Sequence, residues 1–338
     1  MTEPAGSSSR PATAVAEQPH PEPTLQGRFV LVTGAAGFVG SRVCRQLTRR
    51  GSRVRALVRS PAKAAERLAP MPVELHVGDI RDSAVMQRAA EGCDSVVHLA
   101  AIAIERKGQS YEEVNAQGTV RVLAAMRAGG LRRLIHMSQN FAASSSPHRF
   151  LRSKGVAEDA VRASGVEWTV LRPSVIFGPE DEFVNVLARL VRLSPFVYPL
   201  PGGGAARFQP VAVDDVARAI ATALADTDTI RQAYPLGGPA QLTLRRMVER
   251  VLIAMDASRL LVRVPTALLR PLIALAQRLL PNPPVTTELL DLLAVDNVVE
   301  GNALRDTFGI VPTPFAPEEL SYLKDITARD ALRALLGR

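Results

Sequence analysis

The chain has 338 residues, 47% hydrophobic and 22% charged, a balance suited to a folded globular protein with a sizeable core. Its net charge of +8 fits an acidic partner such as anionic lipid or a phosphorylated ligand, but the arginines are scattered and only 4% of residues are aromatic, so nothing points to nucleic acid. Cys44 and Cys93 form no paired motif and the five histidines show no metal-ligating spacing, so neither a disulfide framework nor a metal site is expected.

Residues 1–27 are rich in Pro, Ser, Glu and Ala without an apolar run, and read as a disordered tail. Strand-like apolar runs then alternate with helical patterns. FVLVTG (29–34) reads as a buried strand and FVGSRVCRQLTRRG (38–51) as a helix ended by Gly51. VRALV (54–58), VELHVGD (73–79) and SVVHLAA (95–101) are the next strands. A helix over 111–130 closes on two glycines, followed by a strand at 131–139, a helix at 151–165 and a strand with its exit at 166–178. Apolar strands separated by helices predict an α/β fold, a doubly wound Rossmann-like parallel sheet covered on both faces. That domain is expected over 28–178, with a smaller, mostly helical C-terminal lobe over 179–338 that returns part of its chain to the sheet near 207–225.

TGAAGFVG (33–40) places Gly34, Gly37 and Gly40 between the first strand and the first helix. Such glycines allow a tight turn, close approach of backbone to a pyrophosphate, and close packing of helix on strand. After the second strand, where an NAD site offers an acid to the ribose 2′-hydroxyl, this chain has Arg59, with Lys63 nearby. A guanidinium there suits a 2′-phosphate, so NADP(H) is favoured and NAD(H) is the alternative.

TGAAGFVG, GDIRD (78–82), HLAA (98–101), VNAQGT (114–119), HMS (136–138), FLRSK (150–154) and RPSVIFGPED (172–181) follow one another in an order that resembles the extended and atypical short-chain dehydrogenase/reductases, over about 28–325. Residues 144–182 resemble the branch of the NADPH-binding accessory subunit of respiratory complex I and its bacterial relatives. The resemblance implies that Thr33, Gly34, Ala36, Gly37, Phe38, Val39 and Gly40 cradle the dinucleotide. It puts Asp79 and Ile80 beside the adenine, and Leu99, Ala100 and Ala101 along the cofactor. Asn115 would sit below the active site, with Pro173, Ser174 and Ile176 near the nicotinamide. Ser138 and Lys154 would match the catalytic Ser/Thr and Lys.

Phe150 departs from the pattern, because the family places tyrosine there. Residues four apart on a helix share a face, so a tyrosine would sit beside Lys154 and shuttle a proton. Phenylalanine keeps the binding half of the pair and drops the acid. Two readings follow. One is an NAD(P)(H)-holding accessory protein of a respiratory or quinone-related complex. The other is an active reductase, epimerase or dehydratase on a carbonyl, sugar-nucleotide or isoprenoid/quinone substrate, with its proton from water, Ser138 or Glu180–Asp181–Glu182. Residues 262–281 hold few polar residues and are too short to span a bilayer. They read either as a buried helix or as one that presents an apolar, arginine-edged face to anionic lipid or a membrane complex, with Arg263, Arg270 and Gln277 along one line. The chain is expected to be cytoplasmic and peripheral on the inner face of the membrane.

Overall fold

The computed structural model describes residues 23–106, 108–280, 283 and 285–336. The chain runs β1 (Phe29–Thr33), α1 (Phe38–Arg49), β2 (Arg53–Val58), α2 (Pro61–Leu68), β3 (Val73–Val77), α3 (Ser83–Ala90) and β4 (Ser95–His98). A π-helical turn (Glu112–Gln117) leads into α4 (Gly118–Ala128), then β5 (Arg133–Met137), α5 (Arg149–Ala163) and β6 (Glu167–Pro173). With a further strand, Gln232–Leu236, these strands form one parallel sheet in the order Gln232–Leu236, β6, β5, β4, β1, β2, β3. The expected doubly wound sheet is therefore present. Every residue of β1 and β4 is buried, which is why both runs lack the polar alternation of a half-exposed strand. The order reverses between β1 and β4, so the loops leaving these two strands diverge and open a crevice at their carboxyl ends.

The boundaries shift in three places. Residues 1–22, most of the expected tail, lie outside the described residues, but Leu25 is 1% exposed, and its N–H donates to Arg50 O. The folded chain thus begins ahead of residue 28. The stretch near 207–225 returns as α7 (Val213–Ala225), which packs on α1 in the helical layer, and it is Gln232–Leu236 that joins the sheet. A second return follows at 303–310, where Leu304, Phe308 and Ile310 enter the same core as β1 and α7.

The remaining C-terminal chain builds its own core from α6 (Val184–Leu193), α8 (Leu244–Ala254) and the paired strands Val197–Pro201 and Leu260–Val264. Two further helices, α9 (Thr266–Leu279) and α10 (Thr287–Leu292), lie on its outside. Residues 296–299 run back over the end of β6: Asn297 O accepts from Ser174 Oγ at 2.6 Å, and Asn140 Nδ2 donates to Asn297 Oδ1 and Val298 O. The lobe is thereby fastened to the mouth of the sheet.

Because Leu25 fills a core position, Leu25→Ala should lower unfolding free energy by about 2–4 kcal/mol. Urea denaturation measures this, and an unchanged midpoint would return the segment to the tail.

Candidate functional site

The crevice begins at Gly34. Its φ is +70°, and a Cβ there would lie 2.9 Å from Ala100 N, so the turn after β1 has room for neither a side chain nor an ordinary backbone. A Cβ on Gly40 would meet Gly34 O at 2.1 Å, which is how α1 comes so close to the strand it follows. The α1 N-terminus has Gly37 as its cap, no side-chain cap bond and no acid in its first turn. Its first N–H groups and positive end are thus offered to the crevice, an arrangement that fits the pyrophosphate of a dinucleotide.

Thr33 fixes the floor. Thr119 Oγ1 donates to Asn115 O, so it accepts from His98 Nε2 at 2.9 Å. That leaves His98 Nδ1 to accept from Thr33 Oγ1 at 2.7 Å, while Thr33 Oγ1 accepts from Leu99 N and Ala100 N. The chain of bonds demands a neutral His98. Burial, with the Lys154 charge adding to it, pushes its pKa down to about 3. His136 lies beside it, with ring centroids 5.4 Å apart, and neither of its ring nitrogens has a hydrogen-bond partner among the described residues. Burial first, then the charges of Lys154 and His98, hold His136 well below its ordinary pKa.

Just after β2, Arg59 and Lys63 are exposed, and neither side chain forms an ion pair or hydrogen bond among the described residues. Asp79 accepts from Arg81 N, Nε and Nη2 at 2.9–3.1 Å. Burial raises its pKa, but the Arg81 bonds and the Arg81 and Arg59 charges outweigh that and hold it low. Arg59 therefore lies near an acid whose oxygens are already engaged. The Ile80 side chain is buried against Gly118, so only its backbone is free to flank a ligand.

Lys154 is 5% exposed, and its ammonium donates to Met137 O at 2.6 Å. Burial lowers its pKa to about 8, and Glu158 acts in the opposite direction. Glu158 in turn is gripped by Arg162 and Arg172. Burial raises its pKa, but those two arginines overcome this and keep it ionised. The Ser138 hydroxyl is enclosed near Glu158 and has no well-formed hydrogen bond among the described residues. Asn115 ties the turn after β4 to α5, bonding Ile102 N and O and Ser153 Oγ.

Phe150 packs against Tyr111, with ring centroids 5.7 Å apart, and its N–H donates to Glu288 Oε1 at 2.7 Å. Tyr111 brings a hydroxyl close to the missing one. However, that hydroxyl donates to Ala103 O, and burial plus the Glu288 and Glu105 charges push its pKa up, the wrong direction for a proton donor. Tyr111 and Glu288 had no sequence signal, because Glu288 reaches Phe150 from 138 residues away.

The acids at 180–182 do not form the expected group at the mouth. Glu180 pairs with Arg67 at 3.0 Å, and Asp181 is buried, accepting from the N–H groups of Gly178, Phe183 and Asn185 as the anchor of α6. Glu180 and Glu182 are both exposed, and of the two Glu182 forms no ion pair among the described residues. Pro173 O accepts from Asn140 N and Gln139 Nε2, and Ser174 Oγ is spent on Asn297 O. Ile176 starts a short strand paired with Val211–Ala212.

Residues 30–237 match the NAD dependent epimerase/dehydratase family. The chain belongs to this family. It is 30% identical over 299 residues to the mitochondrial NADH dehydrogenase (ubiquinone) 1 alpha subcomplex subunit 9 of Arabidopsis thaliana, covering 83% of this chain and 73% of the relative. It is also 30% identical to the 2-alkyl-3-oxoalkanoate reductase of Stenotrophomonas maltophilia, covering 88% of this chain and 99% of that one. A Thermus thermophilus UDP-glucose 4-epimerase solved with NAD superposes with a TM-score of 0.66 over 88% of this chain and 98% of that chain, and at 22% identity it shows the shared fold. Relatives of equal identity thus include both an NADH dehydrogenase subunit and a reductase.

The neutral histidines generate a pH dependence. An unfolded imidazole titrates near 6.5, so below that pH the unfolded chain binds more protons than the folded one and stability falls on acidification. At pH 5.5 each histidine should account for about 1.4 kcal/mol relative to neutral pH. His136→Leu leaves no ring partner stranded, so urea unfolding at pH 7.5 and 5.5 should show a smaller loss for the variant than for wild type. Equal losses would mean that His136 takes up its proton in the folded state.

Proposed function

We propose that the protein holds a nicotinamide dinucleotide, NADP(H) in preference to NAD(H), with little turnover, and serves as an accessory protein of a respiratory or quinone-related assembly at a membrane surface. The observation that carries this reading is the state of the α5 pair. Lys154 is kept, buried and ionisable, while Phe150 presents a ring and the neighbouring Tyr111 hydroxyl is occupied. When bound, the nicotinamide supplies hydride chemistry. The chain's own residues bind and orient it through the glycine turn and the α1 terminus, and none of the residues around Phe150 offers a low-pKa hydroxyl. The Arabidopsis relative, a subunit of NADH dehydrogenase, supports the accessory role. The Stenotrophomonas reductase, matched over nearly its whole length, favours the second reading of an active reductase.

Arg59 supports the choice of NADP(H), since it is exposed and unpaired among the described residues. A charged contact of this kind is worth about 1.5–3 kcal/mol, so NADPH should bind at least about tenfold tighter than NADH. Fluorescence titration tests this, and Arg59→Glu should erase the difference; equal affinities in wild type would remove the assignment. Lys154→Ala should weaken NADPH binding, whereas Phe150→Tyr should leave it nearly unchanged. Oxidation of NADPH by the purified wild type with any carbonyl substrate at about 1 s⁻¹ or faster would overturn the holding role.

The membrane-facing part of the reading rests on α9. None of its residues is buried, so it is not the core helix that its composition allowed. Two of its polar residues are engaged with α10: Arg270, itself exposed, pairs with Asp291, and Gln277 Oε1 accepts from Thr287 N, while Arg263 belongs to the preceding strand. Leu268, Leu272, Leu275 and Leu279 are left facing out, with Leu272 64% exposed, and Arg278 is exposed beside them. An apolar stripe at this spacing with a cationic edge suits the interface of an anionic bilayer. The protein should sediment at low salt with vesicles of phosphatidylcholine and phosphatidylglycerol, and Leu272→Glu with Leu275→Glu should abolish this. Undiminished binding of that double variant would move the contact elsewhere.

A further inference from the structure

The C-terminal lobe forms a partly open cavity of about 170 Å³ between α6, the strand Val197–Pro201, α8, α9 and α10. Its wall is almost wholly hydrocarbon. Val186 and Leu190 come from α6, Leu200 from the strand, Ile273 from the inner face of α9, and Leu289 and Leu290 from α10. The carboxylate on the wall is that of Glu182, which is exposed and marks the rim. Apolar cavities of about 150 Å³ stay dry and take up apolar molecules, so water is not the natural occupant here.

The cavity is also next to the candidate site. On α10, Glu288 accepts the Phe150 N–H, and the two residues that follow it line the cavity. Helix α10 therefore lies between the cavity and the backbone of Phe150. A ligand with a small head near Phe150 can place a chain behind α10. Glu288 beside Phe150, like Glu182 at the rim, disfavours an anionic head, so the class taken is a neutral one.

We propose that this cavity binds the hydrocarbon chain of a neutral, single-chain amphiphile such as a long-chain ketone, with its head directed to the Phe150 side of α10. This goes beyond the cofactor-holding role and does not require turnover. α9 forms the outer wall of the cavity with Leu269 and Ile273, while its opposite face is the exposed leucine stripe, so one helix separates the chain site from the surroundings.

The test uses the full-length protein and the neutral fluorescent probe N-phenyl-1-naphthylamine, displaced by straight-chain 2-ketones from 2-heptanone upward. Each added methylene should tighten displacement about fourfold until the chain fills the cavity, after which the series should level off. Ile273→Trp and Val186→Trp both fill the void from partly exposed positions, and each should weaken the longest ketone by at least about tenfold, with melting temperature and NADPH titration unchanged. Leu272→Glu, on the outer face of α9, should bind ketone like wild type. Displacement that does not depend on chain length, or affinities in both tryptophan variants equal to wild type, would overturn the proposal. NADPH titration of the same samples separates the two ideas: lost ketone binding with normal NADPH binding sinks only this one, and the reverse sinks only the cofactor reading.

Discussion

The close approach of the turn after β1 to the turn after β4 is the constraint on which the rest of the site depends. With a Cβ at Gly34 only 2.9 Å from Ala100 N, the two loops meet with no spare volume. The bonds from Thr33 through His98 to Thr119 then lock β1, β4 and α4 in one register. Since Thr33 and His98 face each other across a parallel pair, the loops that leave them must part at the same level. The crevice is a consequence of strand order, and the α1 terminus is aimed into it because Gly40 lets the helix descend onto the strand.

A buried ammonium is costly unless it is solvated by protein groups. Lys154 has the Met137 carbonyl and the charge of Glu158 nearby, and its charge adds to the burial that keeps His98 and His136 neutral. Glu158 in turn is held by two arginines, one on α5 and one on β6. The lysine is thus embedded in a network that joins α5 to the sheet, which gives the chain a structural reason to keep it after the neighbouring hydroxyl is lost. The same embedding places its ammonium at the carboxyl end of β5, where the crevice ends.

The C-terminal lobe reverses the usual logic of an amphipathic helix. On α9 Arg270 and Gln277 are partnered by α10, while Arg278 and four leucines are left outside. The inner surface of the same helix closes an apolar cavity, so the lobe has hydrocarbon on both sides of a single helix. Its attachment to the sheet is polar by contrast, through Asn140, Ser174 and Gln209 on residues 297–299, and Glu288 on Phe150.

The features legible in the residues alone were local and periodic. The short, largely apolar runs at 29–34, 54–58 and 131–139 read as strands, the glycine spacing at 34–40 marks one particular turn, and Phe150 is read directly as a lost hydroxyl. Arg59 could be placed because its position is counted from the end of a strand. Tertiary structure decided everything that depends on partners distant in sequence. Gln232–Leu236 was hard to see as a strand because Pro235 and a short length weaken the pattern, and it is pairing with β6 that makes it one. Ser138, Asp181 and Ser174 look alike as candidates in sequence, but folding encloses the first near Glu158 and commits the others to α6 and to Asn297. The burial of α9 was undecidable for the same reason: helical periodicity defines two faces, and only the positions of Asp291 and Thr287 determine which face turns inward.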